Sequence, residues 1–362
     1  MFFASSIPIV ACSSAQEIKG AISIFCKLND SVLELGTELS DVSMHLCRTI
    51  GSHGTAVLVD KKRSLTKNTK TANMFLQEQE LHGSHLFGTV EFMELDELSE
   101  WRNNVFVNHS YHVLILSVAH ILGNDLYMTT LSLASDMLGY SQPRAIIIKS
   151  KALYSLSRRL VHSQRLFDGT TTLPTTMKRS NKPILIASVK VEEYRKTIPF
   201  VVQSADEVLE VGCHFGRTTH LLHKTGKYCI GVDIGPKIIA HAKKHYPDIP
   251  FAIGDAWRTL DLLKLQKKHS DQDFGYDVVY ADIGGLSGAD GHLESLSLLE
   301  SLGNALEPRC IVIKSLCMRQ LASCIKFFPD VWKKYHSSNP VTPVEIPEMI
   351  EKESQSGVDS SS

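Results

Sequence analysis

The sequence predicts an α/β protein of two tandem units, each a mostly parallel sheet with helices on both faces. Two observations predict it. Short apolar runs alternate with helix-length segments, as in a parallel sheet covered on both sides, and the whole series occurs twice. SVLELGTELSD, from Ser31, parallels EVLEVGCHFGR, from Glu207: Val32, Leu33, Glu34 and Gly36 match Val208, Leu209, Glu210 and Gly212. YHVLILSVAHILGND, from Tyr111, parallels YDVVYADIGGLSGAD, from Tyr276. The clearest match sets PRAIIIKS, from Pro143, against PRCIVIKS, from Pro308. Asp60 and Asp96 fall where Asp233 and Asp255 fall in the second copy, so the expectation is a tandem duplication of one unit.

In the first copy the expected strands are Ser31–Leu35, Ala56–Val59, Val90–Met93, Val113–Leu116 and Ala145–Ile148. In the second they are Val208–Val211, Cys229–Val232, Phe251–Ile253, Val278–Ala281 and Cys310–Ile313. Pro236–His245 and Leu293–Leu306 read as helices, the first opening on a proline as helices often do. After Lys314 a further helix is expected over MRQLASCIKFF. Little resembling the closing strands of such a sheet follows it, so that edge is either missing or supplied by the other half. The expected boundaries are a first domain over 1–168, a linker over 169–186 rich in Thr, Pro and Lys, a second domain over 187–340, and a polar, disordered tail over 341–362.

A chain of 362 residues with 43% hydrophobic content has room for two cores. Its formal charge of -1 gives no general attraction to polyanions, so a nucleic-acid partner has to be held by a local patch. KKRSLTKNTK, from Lys61, is one such basic stretch. Eight cysteines without a C-x-x-C pair point to reduced thiols in an intracellular, cytoplasmic protein rather than to disulfides or zinc. The N-terminus lacks the basic region of a secretory signal, and no apolar run is long enough to span a bilayer. His220, His223, His241 and His245 lie on two different helices without accompanying carboxylates or cysteines, so no metal site is expected.

The chemistry is concentrated at VLEVGCHFG, Val208 to Gly216, followed by CIGVD ending at Asp233. A strand ending in Glu210, a turn through Gly212 and Gly216, and a helix after it form a unit that receives a nucleoside. The dinucleotide fingerprint Gly-x-Gly-x-x-Gly is excluded, because His214 and Arg217 stand where the second and third small residues belong. An acid two residues before the first glycine and a second glycine four residues after it resemble motif I of class I S-adenosylmethionine-dependent methyltransferases; the departure is His214, where many members have glycine. The resemblance implies two tandem Rossmann-like domains and S-adenosyl-L-methionine as cofactor. It places Glu210, Gly212 and Gly216 around the methionine part, Asp233 on the ribose, and Asp255 with Ala256 beside the adenine. For Asp233 and Asp255 a helix cap is the competing role, and for Trp257 core packing competes with walling the adenine.

No Asn/Asp-Pro-Pro-aromatic run follows the fourth strand, which disfavours methylation of a base amine. Instead Asp282 follows strand four, Lys314 follows strand five, and Lys190 precedes motif I by about a helix length. These resemble the first three members of the Lys-Asp-Lys-Glu set of ribose 2′-O RNA methyltransferases. The resemblance implies Lys314 as the base, Asp282 as its orienting partner and Lys190 as electrostatic support; Glu345 is at a plausible spacing for the fourth. In the first copy Ser14, Ser40 and Ser117 stand for Lys190, Gly216 and Asp282, and only Lys149 still matches Lys314. The first domain is therefore expected to be degenerate and the second to carry methyl transfer. RNA is the expected acceptor, with a small molecule or protein side chain as alternatives, and an inactive binding or assembly module is the competing function.

Overall fold

The computed structural model describes residues 7–37, 41–61, 77, 88–95, 105, 110–171, 173, 182–267, 275–288 and 290–338. The first half runs β1 (Ile9–Cys12), α1 (Ala15–Phe25), β2 (Ser31–Leu35), α2 (Asp41–Ile50), β3 (Thr55–Lys61), β4 (Thr89–Leu95) and β5 (Val113–Ser117). It continues with α3 (Val118–Leu122), α4 (Tyr127–Tyr140), β6 (Ala145–Lys149), α5 (Lys151–Arg159), β7 (Leu160–His162) and α6 (Gln164–Phe167). The second half runs β8 (Ile184–Ser188), α7 (Val191–Lys196), α8 (Ile198–Val201), β9 (Glu207–Val211), α9 (Arg217–Thr225), β10 (Tyr228–Asp233), α10 (Pro236–His245) and β11 (Phe251–Ile253). It closes with α11 (Thr259–Lys267), β12 (Val278–Ala281), α12 (Gly291–Leu306), β13 (Cys310–Lys314), α13 (Leu316–Cys324), β14 (Ile325–Phe327) and α14 (Phe328–Ser338).

Two parallel sheets of seven strands result, with the orders β14-β1-β6-β5-β2-β3-β4 and β7-β8-β13-β12-β9-β10-β11. The ten expected strands are all present, within two residues of their bounds. Each sheet also has two strands more than expected. One is a strand at the head of each half, β1 or β8, whose residues are almost wholly buried. The other comes from the opposite half: β7 pairs with β8 (Leu160↔Leu185, His162↔Ala187) and β14 pairs with β1 (Ile9↔Ile325, Ala11↔Phe327).

The exchange corrects two expectations. The helix foreseen across MRQLASCIKFF stops at Cys324, and Ile325 to Phe327 turn into a strand that leaves for the first sheet. Ile325 is buried there, and the Phe327 ring lies 4.9 Å from that of Tyr154. Ile184 and Leu185, inside the expected linker, already belong to β8.

The halves are tied at several further points. Gly20 on α1 is needed because a β-carbon there would come within 2.6 Å of the Phe328 ring on α14. Buried Arg159, at the end of α5, donates to Glu300 on α12, and the Glu193 carboxylate on α7 accepts from the Ser163 hydroxyl just past β7. Within the second half, Arg319 on α13 also donates to Glu193, at 3.1 Å. One apolar cluster joins Ile9, Leu33 and Ile146 to Leu185, Leu209 and Ile313 across both sheets.

Equivalent hydrogen bonds recur in both halves. Ser150 caps α5 through Leu153 N–H (3.0 Å), and Ser315 caps α13 through Met318 N–H (3.2 Å). The arginines of the two PR segments each hold a buried aspartate, Arg144 with Asp30 and Arg309 with Asp206. All eight cysteines are buried free thiols. Among the described residues no helix is long and apolar enough to cross a membrane.

Candidate functional site in the second half

The strand edges that end at Val211, Asp233, Ile253 and Ala281 lie side by side, and a cleft of about 790 Å³ opens above them. That volume is in the range of small-molecule sites. The loop from β9 to α9 forms its floor by a series of left-handed turns: Gly212 at φ +78, His214 at +48 and Gly216 at +82. Gly212 passes so close to β12 that a β-carbon would lie 1.9 Å from the Asp282 carbonyl oxygen, so only glycine fits. The Gly212 and Cys213 N–H groups both donate to the Val232 carbonyl, at 2.8 and 3.0 Å, which fastens the loop to β10. Gly216 does not line the cleft; it turns the chain into α9 against the Phe251 ring, 2.5 Å from where its β-carbon would be.

The acids sit around this loop. Asp233 lines the cleft, and its two carboxylate oxygens accept from His214 N–H and Gly235 N–H, each at 3.0 Å. A carboxylate has about four acceptor directions, so ribose hydroxyls still find room on it. Gly235, not Asp233, is the residue at the start of α10. Asp255 accepts from Trp257 N–H at 3.0 Å, a local turn, and also lines the cleft beside Ala256. Trp257 is 45% exposed on the wall rather than in the core. Glu210 is buried and accepts from the Thr219 hydroxyl. Burial, reinforced by the charge of Asp282 and opposed by that hydrogen bond, pushes its carboxyl up from 4.5 to about 8. Burial likewise pushes the Cys213 thiol well up, which makes it a packed residue rather than a nucleophile.

At the other end of the cleft Lys314 Nζ meets Asp282 Oδ1 at 2.6 Å, with both side chains partly exposed. Adjacent parallel strands, β12 and β13, bring them together, as the sequence spacing implies. Lys190 is placed differently. It follows β8, the neighbour of β13, but is exposed and off the cleft wall, where Val191 and Arg195 of α7 stand instead. Glu345 and residues 62–70 lie outside the described residues, as does Asp96. Sequence reasoning missed the rings on the cleft's outer rim, His214, Phe215, His241, His245 and Tyr246. They come from a loop and a helix that meet only in three dimensions.

The first half repeats the loop geometry, and there its glycine is covered. Gly36, at φ +80, donates to the Val59 carbonyl at 2.8 Å, as Gly212 does to Val232. There α3 begins directly after β5 and lays Ile121 over the glycine: a β-carbon on Gly36 would be 2.8 Å from Ile121 Cγ1. Asp60, the match of Asp233, is 4% exposed, with His120 Nε2 at 3.2 Å. In the second half the corresponding Gly284-Gly285 pair follows Asp282 as a turn, with Gly285 at φ +92, and the cleft stays open.

The residues present fit an adenosyl group: a glycine loop that admits close approach, acids at the ends of β10 and β11, and a half-exposed tryptophan. Among solved structures, a YcgJ protein from Bacillus subtilis shares 18% identity over 24% of this chain and 36% of that one, with a TM-score of 0.20. A TehB-like SAM-dependent methyltransferase from Corynebacterium glutamicum shares 19% over 36% and 69%, TM-score 0.26. A further S-adenosylmethionine-dependent methyltransferase, from Mesorhizobium loti, shares 23% over 31% and 46%, TM-score 0.23. The chain thus spans from about a third to about two thirds of the length of these structures, and likeness this slight carries no argument about activity. The search of curated proteins gives no match. Residues 209–281, from β9 to β12, match the family model described as "Methyltransferase domain". The stretch that builds most of the cleft is thus similar to a methyltransferase domain, and the residues that line the cleft fit S-adenosylmethionine as the cofactor.

Proposed function

We propose that the second half transfers a methyl group to a hydroxyl of an RNA ribose, held at the Asp282–Lys314 end of the cleft. The observation that supports this most is the gathering of Glu210, Gly212, Asp233, Asp255, Ala256, Asp282 and Lys314 around one cleft. S-adenosylmethionine supplies an electrophilic methyl group on a sulfonium sulfur. Asp233 would accept hydrogen bonds from the ribose hydroxyls of the cofactor, Asp255 and Ala256 would hold its adenine, and the loop at Gly212 would receive its amino-acid part. Asp282, 2.6 Å from Lys314, holds the lysine toward the acceptor. Lys314 would take the proton of the acceptor hydroxyl when that oxygen receives the methyl group. Holding acceptor and donor in line supplies much of the rate. Lys190 acts from outside the cleft, as a cation near the strand edge. The first half is a degenerate copy, arisen by duplication, that supports the second.

The test uses the full chain, because β7 completes the second sheet. Titration calorimetry with S-adenosylmethionine is expected to give one site. Asp233→Ala loses about 1.5–3 kcal/mol of binding per charge-assisted hydrogen bond removed. Lys314→Ala keeps cofactor binding and loses labelled-methyl transfer by about a hundredfold or more. Transfer is measured on total RNA, protein and small-molecule fractions. Label appearing only in protein or small molecules rejects the RNA acceptor, and no binding at millimolar cofactor leaves the assembly module as the function.

A further inference from the structure

The outer rim of the cleft is built as a row of rings. His214 lies 3.9 Å from Phe215, Phe215 lies 4.3 Å from His241, and His241 stacks on His245 at 4.1 Å and 14°. All four are exposed, Phe215 at 44%. A second pair, His220 on α9 and Tyr246 just past α10, stacks at 4.8 Å and 23°, which packs these two helices side by side behind the row. The row begins on a strained residue: His214 sits in the left-handed region, where glycine is free and a side chain costs about 1–2 kcal/mol. An imidazole kept at that cost points to a use for it.

The segment that carries α9 and α10 is also strongly basic in a chain of net charge -1. Residues 217–245 contain Arg217, Lys224, Lys227, Lys237, Lys243 and Lys244 against one acid, Asp233, which faces the cleft. Helical spacing puts Arg217, His220 and Lys224 on one stripe of α9, and Lys237, His241, Lys244 and His245 on one stripe of α10. No ion pair among the described residues takes up these cations. Stacking surfaces that accept any planar base, beside cations that track a phosphate chain, are the two elements of single-strand binding.

We propose that the ring row, with the surface of α9 and α10 beside it, binds a single-stranded nucleic acid, its bases laid on His214, Phe215, His241 and His245 and its phosphates on the basic stripes of the two helices. As the path by which an acceptor strand reaches Asp282 and Lys314, this rests on the transfer reading above; the binding itself is tested without it.

The experiment is fluorescence anisotropy of the full chain with labelled oligouridylate and oligothymidylate of about 12 nucleotides. Binding is expected to be saturable and to weaken steeply with salt. Lys237→Glu with Lys244→Glu loses tenfold or more in affinity and lowers the salt slope by about two. Phe215→Ala loses affinity about five- to hundredfold with the slope unchanged. His214→Gly raises the denaturation midpoint, by relief of strain, yet weakens binding. Preference for the ribose strand, or equal binding of both strands, supports the proposal and identifies the source. Absence of saturable binding, a duplex bound as tightly as a single strand, or variants that are folded by circular dichroism and bind unchanged overturn it. So does a cofactor affinity that falls as far as the oligonucleotide affinity in Phe215→Ala, since the row then serves the adenine. Calorimetry with S-adenosylmethionine on the same sample separates the two readings. Cofactor bound without oligonucleotide overturns the ring row as a strand-binding surface alone, and oligonucleotide bound without cofactor overturns transfer alone.

Discussion

Glu210 shows how one buried residue can make the stability of a whole domain depend on pH. Its carboxyl is raised from 4.5 to about 8, chiefly by burial. The folded chain therefore keeps a proton that the unfolded chain releases. The stability this group contributes is whole below about pH 4.5 and is lost as the pH climbs to about 8, at up to about 1.4 kcal/mol per pH unit crossed. Glu210→Gln imitates the protonated acid, so urea unfolding of that variant is expected to be flatter between about pH 5 and about pH 8.5. A wild type with the same profile as the variant refutes the buried-acid account. The arginines of the repeated PR segments give a second prediction. Arg309 and Asp206 are both nearly buried, at 8% and 7% side-chain exposure, so Arg309→Ala strands a carboxylate and costs about 3–5 kcal/mol. Arg144→Ala costs less, because its guanidinium is 32% exposed and His112 stands 3.7 Å from Asp30. Chemical denaturation of the two variants side by side measures the difference. Gly212 was legible from its motif, since it is a single residue with one geometric task, whereas the PR segments stood out as a repeat without showing which aspartates their arginines hold. The ring row was not, because nothing in the spacing of His214 and His241 says that a loop and a helix will meet.

At the level of elements, the apolar strands declared themselves apart from β1 and β8, and of the three-residue strands β11 did so while β7 and β14 did not. β2, β5, β6, β9, β12 and β13 are buried along nearly their whole length, and an unbroken apolar run is what such burial requires. β7, Leu-Val-His, and β14, Ile-Lys-Phe, are edge strands with only their first residue fully buried, so their sequences continue the preceding helix without an evident break. The difference between α3 and the Gly284-Gly285 turn was likewise hidden, because both follow a strand of nearly identical pattern. Removing residues 325–362 takes away β14 and α14, which lie against β1 and α1. Hydrogen exchange is expected to quicken at least about tenfold in β1 and α1, some 300 residues away along the chain by the numbering, while β10 and β11 keep their protection. Loss of protection in β10 and β11 instead would mean that α14 supports the second sheet.

Across the whole molecule the two sheets share one strand order, and each is completed by the other's last strand. A protease site engineered into residues 174–181 is expected to cut the chain without parting it. The two pieces should co-elute in gel filtration and separate only in denaturant, since parting them peels an edge strand from each sheet and opens a common apolar cluster. Pieces that separate in buffer disprove the coupling. The exchanged strands also bear on the order of events at the ribosome, where synthesis proceeds from the N-terminus and earlier segments ordinarily settle first. Here the opening sheet waits for Ile325 to Phe327 before its outer border exists. A stall or frameshift late in translation thus leaves the early half with a bare flank, open to the wrong neighbour.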